Sequence, residues 1–148
     1  MKTQKVKGVP LLLKQLNSFG DDGKRLAVAI TNQTAEKITN KAKLKCPVDF
    51  GQLRQSIGNT EATIKINRSL IFASAPYAPY VNWGTGGLVS VEPMFKELAI
   101  QFKGRGIRKI NLPARPFLTG SYISESATYR PTLQKAIEKL SKQYNNKK

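Results

Sequence analysis

The sequence predicts an α+β fold: a small antiparallel sheet packed against a long N-terminal helix and further helices, including one at the C-terminus. Three observations predict it. Apolar residues recur at three- and four-residue spacing towards both ends of the chain, as in amphipathic helices. Between them, two short runs rich in isoleucine are joined by Asn67-Arg68-Ser69, the pattern of a hairpin. The resulting order is helix, helix, hairpin, loop, helix, strand, helix, which sets helices on one face of a small sheet. A chain of 148 residues is long enough to bury a real core and short enough for one domain over 1–148.

Residues 1–8 carry Lys2, Lys5 and Lys7 with little that is apolar and read as a mobile basic tail. Pro10 suits the first turn of a helix, Leu12, Leu13, Leu16 and Phe19 follow at helical spacing, and Gly20 fits a C-terminal stop. Asp21 and Asp22 then open a second, longer helix, with negative charge at its positive end. Leu26, Ala27, Ile30, Thr34, Ile38 and Ala42 form its apolar stripe, and Pro47 ends it by pushing Cys46 out of helical geometry. After a polar connection over Val48 to Ser56, Ala62, Ile64 and Ile66 alternate with polar residues as a first strand. Leu70, Ile71, Phe72 and Ala73 make the second. Phe95, Leu98, Ala99 and Phe102 share a helical face, with Pro93 in the first turn, and Ile107 to Leu112 suits a short strand. The last helix starts near Ser121, with Tyr129, Leu133, Ile137, Leu140 and Tyr144 as its stripe and Pro131 as a break. Asn145 to Lys148 is a frayed basic end.

The densest stretch lies in the middle: Ala75-Pro76-Tyr77-Ala78-Pro79-Tyr80-Val81-Asn82-Trp83-Gly84-Thr85-Gly86. Two prolines exclude a helix interior or central strand, and the glycines permit close backbone approach. The expectation is a rigid loop anchored by aromatic rings. Those rings either close one end of the core or dock a protein partner, where tyrosine and tryptophan are favoured anchors.

Chemistry is poorly provided for. There is no histidine, the commonest general base and metal ligand. The one cysteine, Cys46, forms no internal disulfide and reads as a small buried apolar residue. The nine acids are scattered, and Gly84, Gly86 and Gly87 lack the Lys-Ser/Thr of a phosphate loop. The sequence therefore argues against an enzyme and implies no metal or cofactor. No apolar run is long enough to cross a membrane, and the run at Leu11-Leu12-Leu13 is too short for a signal peptide.

Charge is the loudest compositional signal: 25 Lys and Arg against 9 acids, a net +16. Such a chain is drawn to polyanions or acidic protein surfaces. Lys103, Arg105, Arg108 and Lys109 lie in an acid-free, glycine-containing stretch that could hold phosphates without reading sequence. It could equally be a solvated loop.

Three motifs in order carry a resemblance. The first is Cys46-Pro47-Val48-Asp49-Phe50-Gly51-Gln52-Leu53-Arg54-Gln55-Ser56-Ile57, the second is Ala75 to Thr85, and the third is Pro113-Ala114-Arg115-Pro116-Phe117-Leu118. Over roughly residues 21 to 145 the chain resembles the gene-product-ten-like tail-completion (neck) proteins of long-tailed bacteriophages and prophages. The resemblance implies that the stretch from Gly51 to Ile57 enters the sheet. The family's acidic residue in the second motif is replaced here by Asn82, so a salt bridge there, for instance to Arg115, must become a neutral hydrogen bond or be absent. The implied function is structural: a virion protein, made in the host cytoplasm, that completes the tail end and joins it to the head as a ring subunit around the DNA channel. The residues do not give the copy number; the resemblance points to a hexameric ring in the virion. Implied partners are copies of the chain, neighbouring head-connector and tail-tube proteins, and DNA in transient, non-specific contact. Tyr77, Tyr80, Trp83, Arg115 and Phe117 are the expected subunit or partner contacts, and Lys103, Arg105, Arg108 and Lys109 the DNA-facing ones. The alternative is a free-standing, non-specific nucleic-acid-binding protein.

Overall fold

A computed structural model describes residues 9–47, 51–85, 91–103 and 112–146. The chain begins with one uninterrupted helix, α1, Val9–Lys45. Its buried stripe contains Ile30, Ile38 and Ala42 as expected, joined by Ala35, Thr39 and Cys46. The predicted break at Gly20 is absent. Helix α5, Phe117–Asn145, runs antiparallel to α1 and holds the glycine-containing turn from beyond it. Phe19 meets Tyr144 edge-on at 5.4 Å, and Tyr144 Oη donates to Asp22 Oδ2 at 2.7 Å. Packing on both sides of Gly20 thus outweighs the modest helical penalty of a glycine. Asp22 is a hydrogen-bond acceptor inside the helix, and exposed Asp21 pairs with Lys24 at 3.6 Å.

Further along, the Thr31 and Tyr129 hydroxyls lie 3.0 Å apart, and Lys41 Nζ meets Glu125 Oε1 at 2.6 Å. Helix α5 starts four residues before the expected Ser121 and passes through Pro131 without ending. Pro131 is exposed, so water can reach the carbonyl that its missing N–H leaves unpaired.

The sheet is two-stranded and antiparallel, but its first strand is not the one expected. After the single helical turn α2, Gln52–Gln55, strand β1 is Ile57–Asn59 and pairs with β2, Ile71–Ala73. The register sets Gly58 opposite Phe72. A Cβ at Gly58 would lie 3.0 Å from the Phe72 ring, so the ring occupies the space a side chain would take. The alternating residues from Ala62 to Ile66 form a turn instead, closed by Thr63 N–H to Ile66 O at 2.9 Å, and Ile64 and Ile66 are exposed. Ala62 is held by α1: Asn32 Nδ2 donates to Ala62 O at 3.1 Å, and Ala62 N donates to Asn32 Oδ1 at 2.7 Å. A side chain thereby replaces the strand partner that this segment lacks.

The core sits where the lower end of α1, α2, β1 and the start of α5 meet. It comprises Ala42, Cys46, Leu53, Ile57, Ala78 and Phe117, with Ala73, Ala75, Val81 and Leu118 packed around it. Cys46 is buried as expected; burial pushes its thiol pKa up, with Arg54 opposing the shift. The expected mobile tail over residues 1–8, most of the strand from Ile107, Arg105, Arg108, Lys109 and the last two residues lie outside the described residues. No described helix is long and apolar enough to cross a membrane.

Candidate functional site

The prolines of the aromatic stretch do not keep it from being helical. Residues Ala78–Trp83 form a short helix, α3, because Pro79 falls in the first turn, where a missing N–H leaves no bond unmade. Gly84 ends it at φ 70°, a left-handed conformation that favours glycine. The third motif presses against this point: a Cβ on Gly84 would collide with the Leu112 carbonyl oxygen and sit 2.8 Å from Ala114 N. Thr85 N–H donates to Leu112 O at 3.1 Å, Leu112 N–H donates to Thr85 Oγ1 at 3.0 Å, and Arg115 N–H donates to Val81 O at 2.9 Å. The second and third motifs are therefore one structural unit.

Asn82 locks that unit to α5. It is 4% exposed, and its Oδ1 accepts the backbone N–H groups of Leu118 at 3.1 Å and Thr119 at 3.3 Å. Its Nδ2 lies 3.2 Å from Thr119 Oγ1. The first N–H groups of a helix lack intrahelical partners, and Pro116 offers α5 no side-chain cap. Asn82 caps the helix from a distant part of the chain. Of the two possibilities left open for Asn82, the neutral hydrogen bond is the one observed, to the start of α5. Arg115 is exposed, and among the described residues its side chain makes no ion pair.

Helix α4, Lys96–Lys103, follows a 3₁₀ turn at Pro93–Phe95 and docks on α3 through rings. Phe102 stacks on Trp83 at 5.7 Å and meets Tyr80 edge-on at 5.7 Å, while Phe95 meets Tyr122 edge-on at 6.1 Å. Trp83 is half-buried, and its Nε1 is a buried donor that finds no acceptor among the described residues.

The expected contact residues thus divide. Tyr77, Tyr80 and Arg115 are exposed, Trp83 is partly covered by Phe102, and Phe117 is a core residue at 2% exposure. Phe117 cannot present its ring to a partner in this fold, because the first turn of α5 points it between Ala42, Ile57 and Ala78. Lys103 ends α4, and the other three expected DNA-facing residues lie outside the described residues.

Sequence reasoning missed a groove beside this unit. It is lined by Leu70, Trp83, Phe95, Leu98, Leu118 and Tyr122, with a volume of about 390 Å³. Leu70, Leu98 and Tyr122 are exposed on its rim. The isolated helical stripe of Phe95 and Leu98 was a signal for an apolar face, but nothing in the spacing said that the face stays open.

Comparison with curated proteins and with solved structures gives no significant match. Residues 12–84 match the family described as "Bacteriophage HK97-gp10, putative tail-component". The match takes in α1, the sheet and α3 as far as Gly84, just under half of the 148 residues, and stops before the Arg115-Pro116-Phe117 motif. This stretch, which holds the core-forming part of α1, the first motif and the second motif as far as Gly84, is similar to the HK97-gp10-like family of bacteriophage tail components.

Proposed function

We propose that this tail component completes the tail end and joins it to the head, acting as a ring subunit around the DNA channel and carrying out no catalysis. One observation carries the reading beyond the family: the apolar surface around α3 is left open. Leu70 beside the sheet, Leu98 on α4 and Tyr122 on α5 are exposed together around one groove, and Tyr80 is exposed on α3 itself. Contiguous apolar patches of this kind mark interaction sites, and tyrosines on a rigid turn make good anchors. In this reading the partners are copies of the chain and the neighbouring head-connector and tail-tube proteins.

DNA contact belongs to the same reading. Lys37, Lys41 and Lys45 recur every four residues on α1, and their charges act together on the single carboxylate of Glu125. A row of lysines with so little counter-charge suits weak, salt-sensitive hold of phosphates. The same row favours non-specific nucleic-acid binding as the second reading.

The test is to disrupt the gene in its phage or prophage and image the lysate by negative-stain electron microscopy. Full heads and separate tails side by side are the expected result. Normal infectious particles would remove the joining role and leave the nucleic-acid reading.

A further inference from the structure

Helix α4 is fastened to the described body of the chain by rings. It packs mainly on α3 and on the 3₁₀ turn that precedes it. Of residues 96–102 only Ala99 is buried, at 1% exposure, and Phe102 is half-buried. The other five are exposed, Leu98 and Ile100 among them. Eight residues are too few for a helix to stand alone in water. Phe102 holds α4 against Trp83 and Tyr80, and Phe95 holds the preceding turn against Tyr122. Among the described residues, no hydrogen bond or ion pair ties α4 to α3, α5 or the sheet.

The packing is open on both sides of these rings. One cleft of about 390 Å³ is lined by Leu70, Trp83, Phe95, Leu98 and Tyr122. A second, also of about 390 Å³, is lined by Trp83, Val91, Phe95, Pro116 and Ile123. Trp83 and Phe95 border both, so α4 and its turn stand on a ridge of rings between two clefts. Phe102 also lies over an indole whose Nε1 is buried without an acceptor among the described residues. A closed arrangement that strands a donor is penalised relative to one in which water reaches it. Helix α3 is fixed by other means. Asn82 accepts the N–H groups of Leu118 and Thr119, and Arg115 N–H donates to Val81 O, with no part taken by α4.

We propose that α4 is a strap that opens as a unit, drawing Phe102 off Trp83 and Tyr80, while α1, α3, α5 and the sheet stay folded. Closed, it shields part of the aromatic face from water. Open, it adds the Trp83 ring to the apolar surface around α3. Segments with few buried apolar contacts open at a lower free energy than the whole fold, and α4 is such a segment. The strap is a property of the free chain and stands whether or not the chain builds a ring.

The test uses the full chain, in which Trp83 is the only tryptophan. In a urea series on wild-type protein, Trp83 emission moves to the red at lower urea than helical circular dichroism is lost. Amides of residues 100–102 exchange with deuterium at least about a hundredfold faster than those of residues 35–42 in α1, as a separate local opening requires. Phe102→Ala holds the strap open: without urea, emission is shifted to the red and acrylamide quenches it more, while the midpoint for loss of helicity stays near wild type. Ile100→Ser, changed at an exposed position of the same helix, leaves Trp83 emission as in wild type. Coincident emission and helicity transitions in wild type, with α4 protected as well as α1, overturn the strap. A Phe102→Ala chain that unfolds throughout, or whose Trp83 stays as shielded as in wild type, overturns it as well. An Ile100→Ser shift equal to that of Phe102→Ala overturns the assignment of the fastening to the Phe102 ring.

Discussion

Asn82 joins the aromatic unit to the start of α5 through one side chain. Its carboxamide oxygen serves the Leu118 and Thr119 N–H groups, which no residue of α5 can satisfy. Asn82→Ala is expected to destabilise the chain by about 1–2 kcal/mol, the usual loss for a helix cap, read as a lower urea midpoint. Asn82→Asp keeps the acceptor and places a carboxylate at the positive end of the helix, with the Thr119 hydroxyl free to turn and donate to it. It is expected to retain most of the wild-type stability. An Asp variant as unstable as the Ala variant would show that the carboxamide donor to Thr119, rather than the cap, holds the unit. That Gly84 needs positive φ, or close approach, was legible in the sequence. Which backbone approaches was not, since Leu112 to Ala114 lies nearly thirty residues away and no local pattern links the two.

At the scale of elements, α1 contains Gly20 and Gly23, and a Cβ at either position would meet nothing within 4 Å. Replacing each with alanine is expected to stabilise the helix by about 0.5–1 kcal/mol, seen as a higher thermal midpoint. A lower midpoint would show that the glycines permit a bend the packing needs. The Lys41–Glu125 bridge between α1 and α5 sets a pH dependence. Lys41's hydrogen bond holds the Glu125 carboxyl below its ordinary pKa, helped by the charges of Lys41, Lys37 and Lys45 and opposed by burial. A depressed carboxyl stabilises the fold above its unfolded pKa, and that contribution is lost as pH falls through the folded one. Glu125→Gln should therefore be less stable than wild type near neutral pH, with the difference shrinking on acidification and in high salt. A difference that grows as pH falls would contradict the assignment. The two-helix start and the Ala62 to Ile66 strand were misread for one reason. Glycine and period-two alternation are local signals, and α5 and Asn32 override them from afar.

For the whole molecule, the predicted outcome is separate heads and tails on gene disruption. It draws on apolar residues that the fold does not cover: Leu13 and Leu16 at one end, Leu70 and Leu98 at the other. The helical spacing of Leu13, Leu16 and Leu98 was visible beforehand, but a stripe looks the same in sequence whether its partner is in the same chain or in another.

By itself, the sequence determined that the chain is α+β, that helices stand at both ends, that Pro47 closes the first long helix, and that Cys46 is buried. These are consequences of local geometry and of apolar periodicity, which short stretches of chain carry within them. It also carried the family resemblance, through motifs that lie along α2, β1 and α3. Only the tertiary structure decided that Phe117 faces inward, that Asn82 caps α5, that β1 begins at Ile57, and that α1 runs unbroken through Gly20. Each of these depends on a partner distant in sequence, and the free energy of meeting it exceeds the small local preferences that pointed the other way.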